Sequence, residues 1–109
     1  MKVKVLLRRC RFSKRYRGYQ ELEECIHLIC QDEERLLCIT KVYKDVGSSF
    51  RISWSGVERN IRTLLNAGWE KGGKEHLENV IGVELHGKPT VCELIEILAC
   101  YLIDHSEET

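Results

Sequence analysis

Val42, Val46 and Phe50 recur every four residues, and after only three more, Arg51, Ile52 and Ser53, an apolar spacing resumes with Val57, Ile61, Leu64 and Leu65. Apolar residues at these intervals mark helices that bury one side. Two helices joined so closely must cross near their ends, and Ile52 supplies an apolar side chain that pins the turn inward. Gly47 leaves room for the two backbones to approach each other. The pair has the layout of a helix-turn-helix, and every other element has to pack around that crossing.

The rest of the chain reads the same way. Residues 19–30, YQELEECIHLIC, put Leu22, Cys25, Ile26 and Ile29 on one side, with Glu21, Glu23 and Glu24 in the first turn, where acids suit the helix dipole. Residues 32–39 begin acidic and end apolar, as a short helix or a continuation of the first. Thr40 is placed to cap the helix KVYKDVGSSF. The next helix, within SWSGVERNIRTLLNAGW, gathers Val57, Ile61, Leu64, Leu65 and Gly68 on one side and should stop at Lys71, because Gly72 and Gly73 follow. Residues 75–81 form a further short helix closed by Gly82, and VCELIEILACYLI, after Pro89 and Thr90, is apolar enough for the core. The β pattern amounts to a short strand over 3–7. A chain of 109 residues is long enough for one domain and too short for two. The expected fold is therefore all-α, a compact bundle of about five to six helices containing the helix-turn-helix.

The net charge is zero, yet residues 1–17 hold eight of the seventeen Lys/Arg and no acid. The expected organisation is a basic N-terminal arm over 1–13, a helix-turn-helix domain over 14–105 and a tail over 106–109. Such an arm can attract phosphate backbones or act only as a solubilising segment. No run approaches the roughly 20 apolar residues of a membrane helix, and MKVKVLLRRC lacks the core and cleavage site of a signal peptide. A cytoplasmic protein is the expectation.

Cys10, Cys25, Cys30, Cys38, Cys92 and Cys100 form no C-x-x-C pair. Cys25, Cys30, Cys92 and Cys100 stand among Ile and Leu, where free cysteine behaves as a small buried hydrophobe. His27 with Cys30 is the nearest approach to a ligand pair, too little for a metal site. There is no Gly-rich phosphate loop and no Ser-His-Asp arrangement, so no enzyme, cofactor, metal or small-molecule substrate is expected.

The polar side of the helix after the turn carries Ser55, Arg59, Arg62 and Asn66, spaced four, three and four apart. In a helix-turn-helix this helix enters the major groove, where arginine binds guanine O6 and N7 and Glu58 can accept from cytosine N4. The same residues also admit a plain reading, with Glu58 and Arg62 as an exposed pair four apart and Ser55 with Glu58 as a capping box. Periodicity alone leaves both open.

ITKVYKDVGSSF, then S-x-S-x-VERxIRxxxxxxW, then KPT leading into ELIEILACYL, resembles the C-terminal DNA-binding domain of the sporulation master response regulator family of endospore-forming bacteria. KRYRGYQELEECIHLIC is similar to the start of the same domain, so the likeness covers residues 14–104. The resemblance implies a transcription factor domain that binds a short box in double-stranded DNA, as tandem copies or a homodimer. It implies base or phosphate contacts by Glu58, Arg59 and Arg62, and backbone contacts by the turn at Arg51 and by Lys88 and Thr90. Ser55 and Asn66 complete the expected interface. Where the family has arginine this chain has Gly56, which removes one contact. Trp54 stands where the family has a small residue, to cover the core or to stack on sugar and phosphate. The family's receiver domain has no room within 109 residues, so an effector domain without a receiver is expected. The alternative is a protein-interaction module that kept the fold, lost tight DNA binding and modulates a full-length regulator.

Overall fold

The computed structural model describes residues 2–105, and its regular structure there is entirely helical. Met1 and the expected tail over 106–109 lie outside the described residues. The α-helices are α1 (Val3–Arg9), α2 (Arg17–Gln31), α3 (Ile39–Phe50), α4 (Trp54–Gly68), α5 (Lys74–Ile81) and α6 (Val91–Asp104). A 3-10 turn, Glu33–Leu37, links α2 to α3, and Asp32 caps it by accepting from the Glu34 amide at 3.2 Å.

The short strand expected over 3–7 is helix α1. Val3, Leu6, Leu7 and Cys10 follow the helical intervals of three, four and seven, which the local alternation of lysine and valine masks. Leu6 and Leu7 are wholly buried, with Cys10 and Phe12 beside them in the core. The segment expected as a basic arm is thus anchored by its apolar side, while Arg8 and Arg9 point outward in the last turn of α1, where cations suit the dipole.

Helix α2 begins at Arg17, earlier than expected, so Glu21, Glu23 and Glu24 fall beyond a first turn that contains no acid. Thr40 lies inside α3, whose N-cap is Cys38. Glycine does stop α4: the chain leaves the helix at Gly68, makes a wide kink over Trp69–Gly73 with Gly72 at φ 86°, and re-enters a helix at Lys74. Thr90 opens α6 with a full capping box, each of its partners being Glu93.

Helices α2 and α4 form the centre. Helix α2 packs on α1, α3, α4 and α6, and α4 packs on α2, α3 and α6. The crossing is made by Gly18, where a Cβ would lie 2.2 Å from the Asn60 carbonyl oxygen of α4. Next to it the Glu21 carboxylate, 3% exposed, accepts from the Asn60 side-chain amide at 3.0 and 3.2 Å. Burial raises the Glu21 pKa above its ordinary value of 4.5, opposed by the Asn60 hydrogen bond and the charge of Arg17.

The cysteines divide. Cys10 and Cys25 are buried, and desolvation pushes both thiols up to about 12. Cys30 and Cys92, expected in the interior, are exposed, and Cys100 is half-buried, because the core side of each helix passes just beside them. All six are free thiols. No group of three or more His, Cys, Asp or Glu among the described residues is arranged to hold a metal, and His27 bonds instead to Gln31 at 3.1 Å. Among the described residues no helix is long and apolar enough to cross a membrane.

The buried carboxylate yields a pH test. Native Glu21 holds its proton more tightly than the unfolded chain does, so its contribution to stability is fullest below pH 4.5 and is lost as pH rises through the native pKa. Glu21→Gln keeps an acceptor for Asn60 and removes the titration. The unfolding free energy of Glu21→Gln minus that of the wild type should grow as pH rises from about 4 to about 7 in urea titrations. A flat difference contradicts the assignment.

Candidate nucleic-acid interface

The turn between α3 and α4 is built by backbone chemistry. The Ile52 amide donates to the Gly47 carbonyl at 2.9 Å and the Arg51 amide to the Ser48 carbonyl at 3.4 Å, the double bond pattern of a Schellman stop. Such a stop needs a residue in the left-handed region, and Arg51 occupies it at φ 59°. Gly47 is required here: a Cβ would stand 2.6 Å from the Ile52 carbonyl oxygen. Ile52 packs against the core as expected. Phe50, expected inside, is 37% exposed because it ends α3 and overhangs the turn.

Ser53 then caps α4, its hydroxyl accepting from the Gly56 amide at 3.1 Å and meeting the Ser55 hydroxyl at 3.1 Å. The Ser55–Glu58 capping box is therefore not formed, since the helix, with Ser53 as its N-cap, starts two residues earlier than that box requires. Val57, Ile61, Leu64 and Leu65 are buried, which turns Ser55, Arg59, Arg62 and Asn66 to the opposite side.

Three arrangements occur on that side. Glu58 and Arg62 form an ion pair through two hydrogen bonds, Nε to Oε1 at 3.2 Å and a second from the guanidinium to Oε2. The Asn66 side-chain oxygen accepts from Lys88 Nζ at 2.6 Å, which ties the α5–α6 loop to the last turns of α4. Arg59 is exposed, and its guanidinium makes no ion pair among the described residues. The expected residues Ser55, Glu58, Arg59, Arg62, Asn66 and Lys88 thus share one face. Arg51 is exposed at the turn leading into it. Thr90 is used structurally: its hydroxyl accepts from the Glu93 amide at 3.1 Å while its own amide donates to Glu93 Oε1 at 3.1 Å. Those bonds hold the Glu93 carboxyl below the usual range.

Sequence reading missed the residue that sets this face. Asn60 stands between Arg59 and Ile61 and bonds Glu21 beneath. The signal was available in α2, where Gly18, Glu21 and Cys25 follow intervals of three and four and so share a buried side. Of the two alternatives for Trp54, the structure leaves it 46% exposed at the first position of α4, outside the core.

A short crossing turn, a capped second helix and an outward face of Arg, Glu and Asn are now placed on one scaffold. The sequence matches the family model of the sporulation initiation factor Spo0A C terminal over residues 3–102. The chain belongs to this family. Spo0A C-terminal domains are DNA-binding effector domains of a sporulation regulator, a regulatory family and not one of enzymes. The match starts at residue 3, so α1 falls within the Spo0A C-terminal region.

Arg51 carries a local cost. A non-glycine residue in the left-handed region is strained by about 1 kcal/mol, and a stop of this kind favours glycine. Arg51→Gly should therefore raise unfolding stability by about 1 kcal/mol, read as a higher urea midpoint at unchanged slope. A lower midpoint would show that the arginine side chain itself stabilises the turn.

Proposed function

We propose that this chain is a sequence-specific transcriptional regulator that binds double-stranded DNA with the outward face of α4. The observation that carries the reading is Arg59, exposed and in no ion pair among the described residues, beside the Glu58–Arg62 pair on the second helix of a rigidly capped helix-turn-helix. Arg59 reads a guanine edge. Arg62 and Glu58 act as a unit, the carboxylate orienting the guanidinium and accepting from a cytosine amino group. Arg51 and Lys88 contact phosphates on either side, Ser55 and Asn66 complete the polar face, and Thr90 adds its remaining hydroxyl hydrogen. The domain acts as tandem copies or as a homodimer on its box, in the cytoplasm, with no chemistry of its own. Residues 14–105 form the DNA-binding unit, and α1 braces it.

The second reading, an interaction module that binds a full-length regulator, draws on the self-pairing of the face. Glu58–Arg62 and Asn66–Lys88 already satisfy each other. Loss of the Gly56 contact points the same way.

Binding to a panel of short duplexes, with a scrambled control and at two salt concentrations, separates the readings. Arg59→Ala should weaken specific binding by about 1 to 3 kcal/mol and reduce selectivity at one base pair. Salt-sensitive binding equal for all duplexes and indifferent to Arg59 would favour the interaction module. At Gly56 a Cβ meets the Ser53 hydroxyl at 3.3 Å and Ile52 carbons at 3.8 Å, so a side chain is accommodated with a small shift. Gly56→Arg should tighten duplex binding by about tenfold through one added charge-assisted contact. Unchanged affinity would place this helix turn away from the duplex.

A further inference from the structure

On the flank formed by α1, α5 and α6 lies an open groove of about 830 Å³, walled by Arg8, Arg9, Arg11, His76, Asn79 and Tyr101. It is a different place from the outward face of α4, none of whose residues lines it. Arg8, Arg9 and Arg11 are exposed, and none makes an ion pair among the described residues. No carboxylate among the described residues lines the groove. Like charges gathered without an acidic partner repel one another, so the arrangement is favourable only when an anion joins it.

Two further features show that the groove is shaped. Arg11 is held at φ 62°, a left-handed conformation that strains a non-glycine residue, and it carries the third guanidinium to the groove just after α1 ends. Tyr101 is fixed by a stack on His105, ring centroids 4.1 Å apart, and the His105 ring bonds the Tyr101 carbonyl at 2.7 Å. Burial of Leu6 and Leu7 anchors α1 beneath its arginines, so the wall is set before a ligand arrives. The volume lies within the range of small-ligand sites, about 300 to 1,000 Å³.

We infer that this groove binds a ligand bearing adjacent phosphates, held by Arg8, Arg9 and Arg11 with a flat ring against Tyr101 and Asn79 offering its amide to the ring edge. Guanidinium forks match phosphate oxygens in pairs, and three of them select a diphosphate or triphosphate over a single anion. A nucleoside triphosphate has this chemistry free in solution. The backbone of a duplex extending past the box offers single phosphodiester charges spaced by sugars, a looser match to the same guanidiniums.

The test uses the full chain, ATP and inorganic tripolyphosphate as probes, and calorimetric titration. ATP should bind saturably and more tightly than tripolyphosphate, Arg8→Ala with Arg9→Ala should weaken it by about tenfold or more, and Arg59→Ala should leave it unchanged. The double variant removes exposed side chains only, and an unaltered helical circular dichroism spectrum checks its fold. In a second arm, duplexes with and without added flanks are compared. If ATP does not bind but flanks tighten duplex binding by an increment that the double variant loses, the phosphates come from the DNA backbone. Absence of saturable binding in both arms overturns the inference, as does binding insensitive to Arg8 and Arg9. Equal loss in Arg59→Ala would assign the anion to α4 instead. Because the ATP arm needs no box, its failure is separable from that of the DNA-reading proposal.

Discussion

The crossing of α2 and α4 at Gly18 and Asn60 governs the orientation of everything on the surface of α4. Asn60 serves it twice: its carbonyl backs onto the bare Cα of Gly18, and its side chain satisfies the buried Glu21 carboxylate. A buried carboxylate left without its donor costs on the order of 1 to 3 kcal/mol or more, so α4 cannot turn about its axis without a penalty. Arg59 precedes Asn60 and Ile61 follows it. The rotation that satisfies Glu21 therefore also buries Ile61 and points Arg59 outward.

The turn defines the remaining freedom. Gly47, the hydrogen bonds closing α3 and the Ser53 cap fix where α4 begins, and the Lys88–Asn66 bond draws the α5–α6 loop against its far turns. Helix α4 is thus held below, at its start and near its end. Side chains carried on so constrained an element need little reorganisation to meet a rigid partner, which is the condition for precise recognition.

Much of this was legible in the sequence because the helices are strongly periodic. The crossing pair, the glycine stop after α4 and the outward polar face all follow from apolar spacing and glycine position. Helix α1 escaped because four residues of alternation look like a strand until Leu7 and Cys10 are counted with Val3. Thr40 has the residue type of a cap, but α3 starts two residues earlier than a Thr40 cap requires, with Cys38 at its N-cap and no side-chain cap bond. The cysteines misled because Ile and Leu neighbours in sequence do not report the angle around the helix, and Cys30 and Cys92 fall just off the buried side. The Glu21–Asn60 bond joins residues 39 apart, a separation at which local pattern carries no information.

The self-paired face of α4 has a further consequence, concerning ions. With Arg62 neutralised by Glu58, the face presents less free positive charge than its composition suggests, while Lys88, bonded to the uncharged Asn66 amide, keeps its charge. If this face reads DNA as proposed, a duplex that leaves the Glu58–Arg62 pair intact gains one fewer counterion-releasing contact from it. In the proposed reading, a partner whose edges replace those bonds recovers the full attraction, and discrimination would arise from what wrong sequences fail to displace.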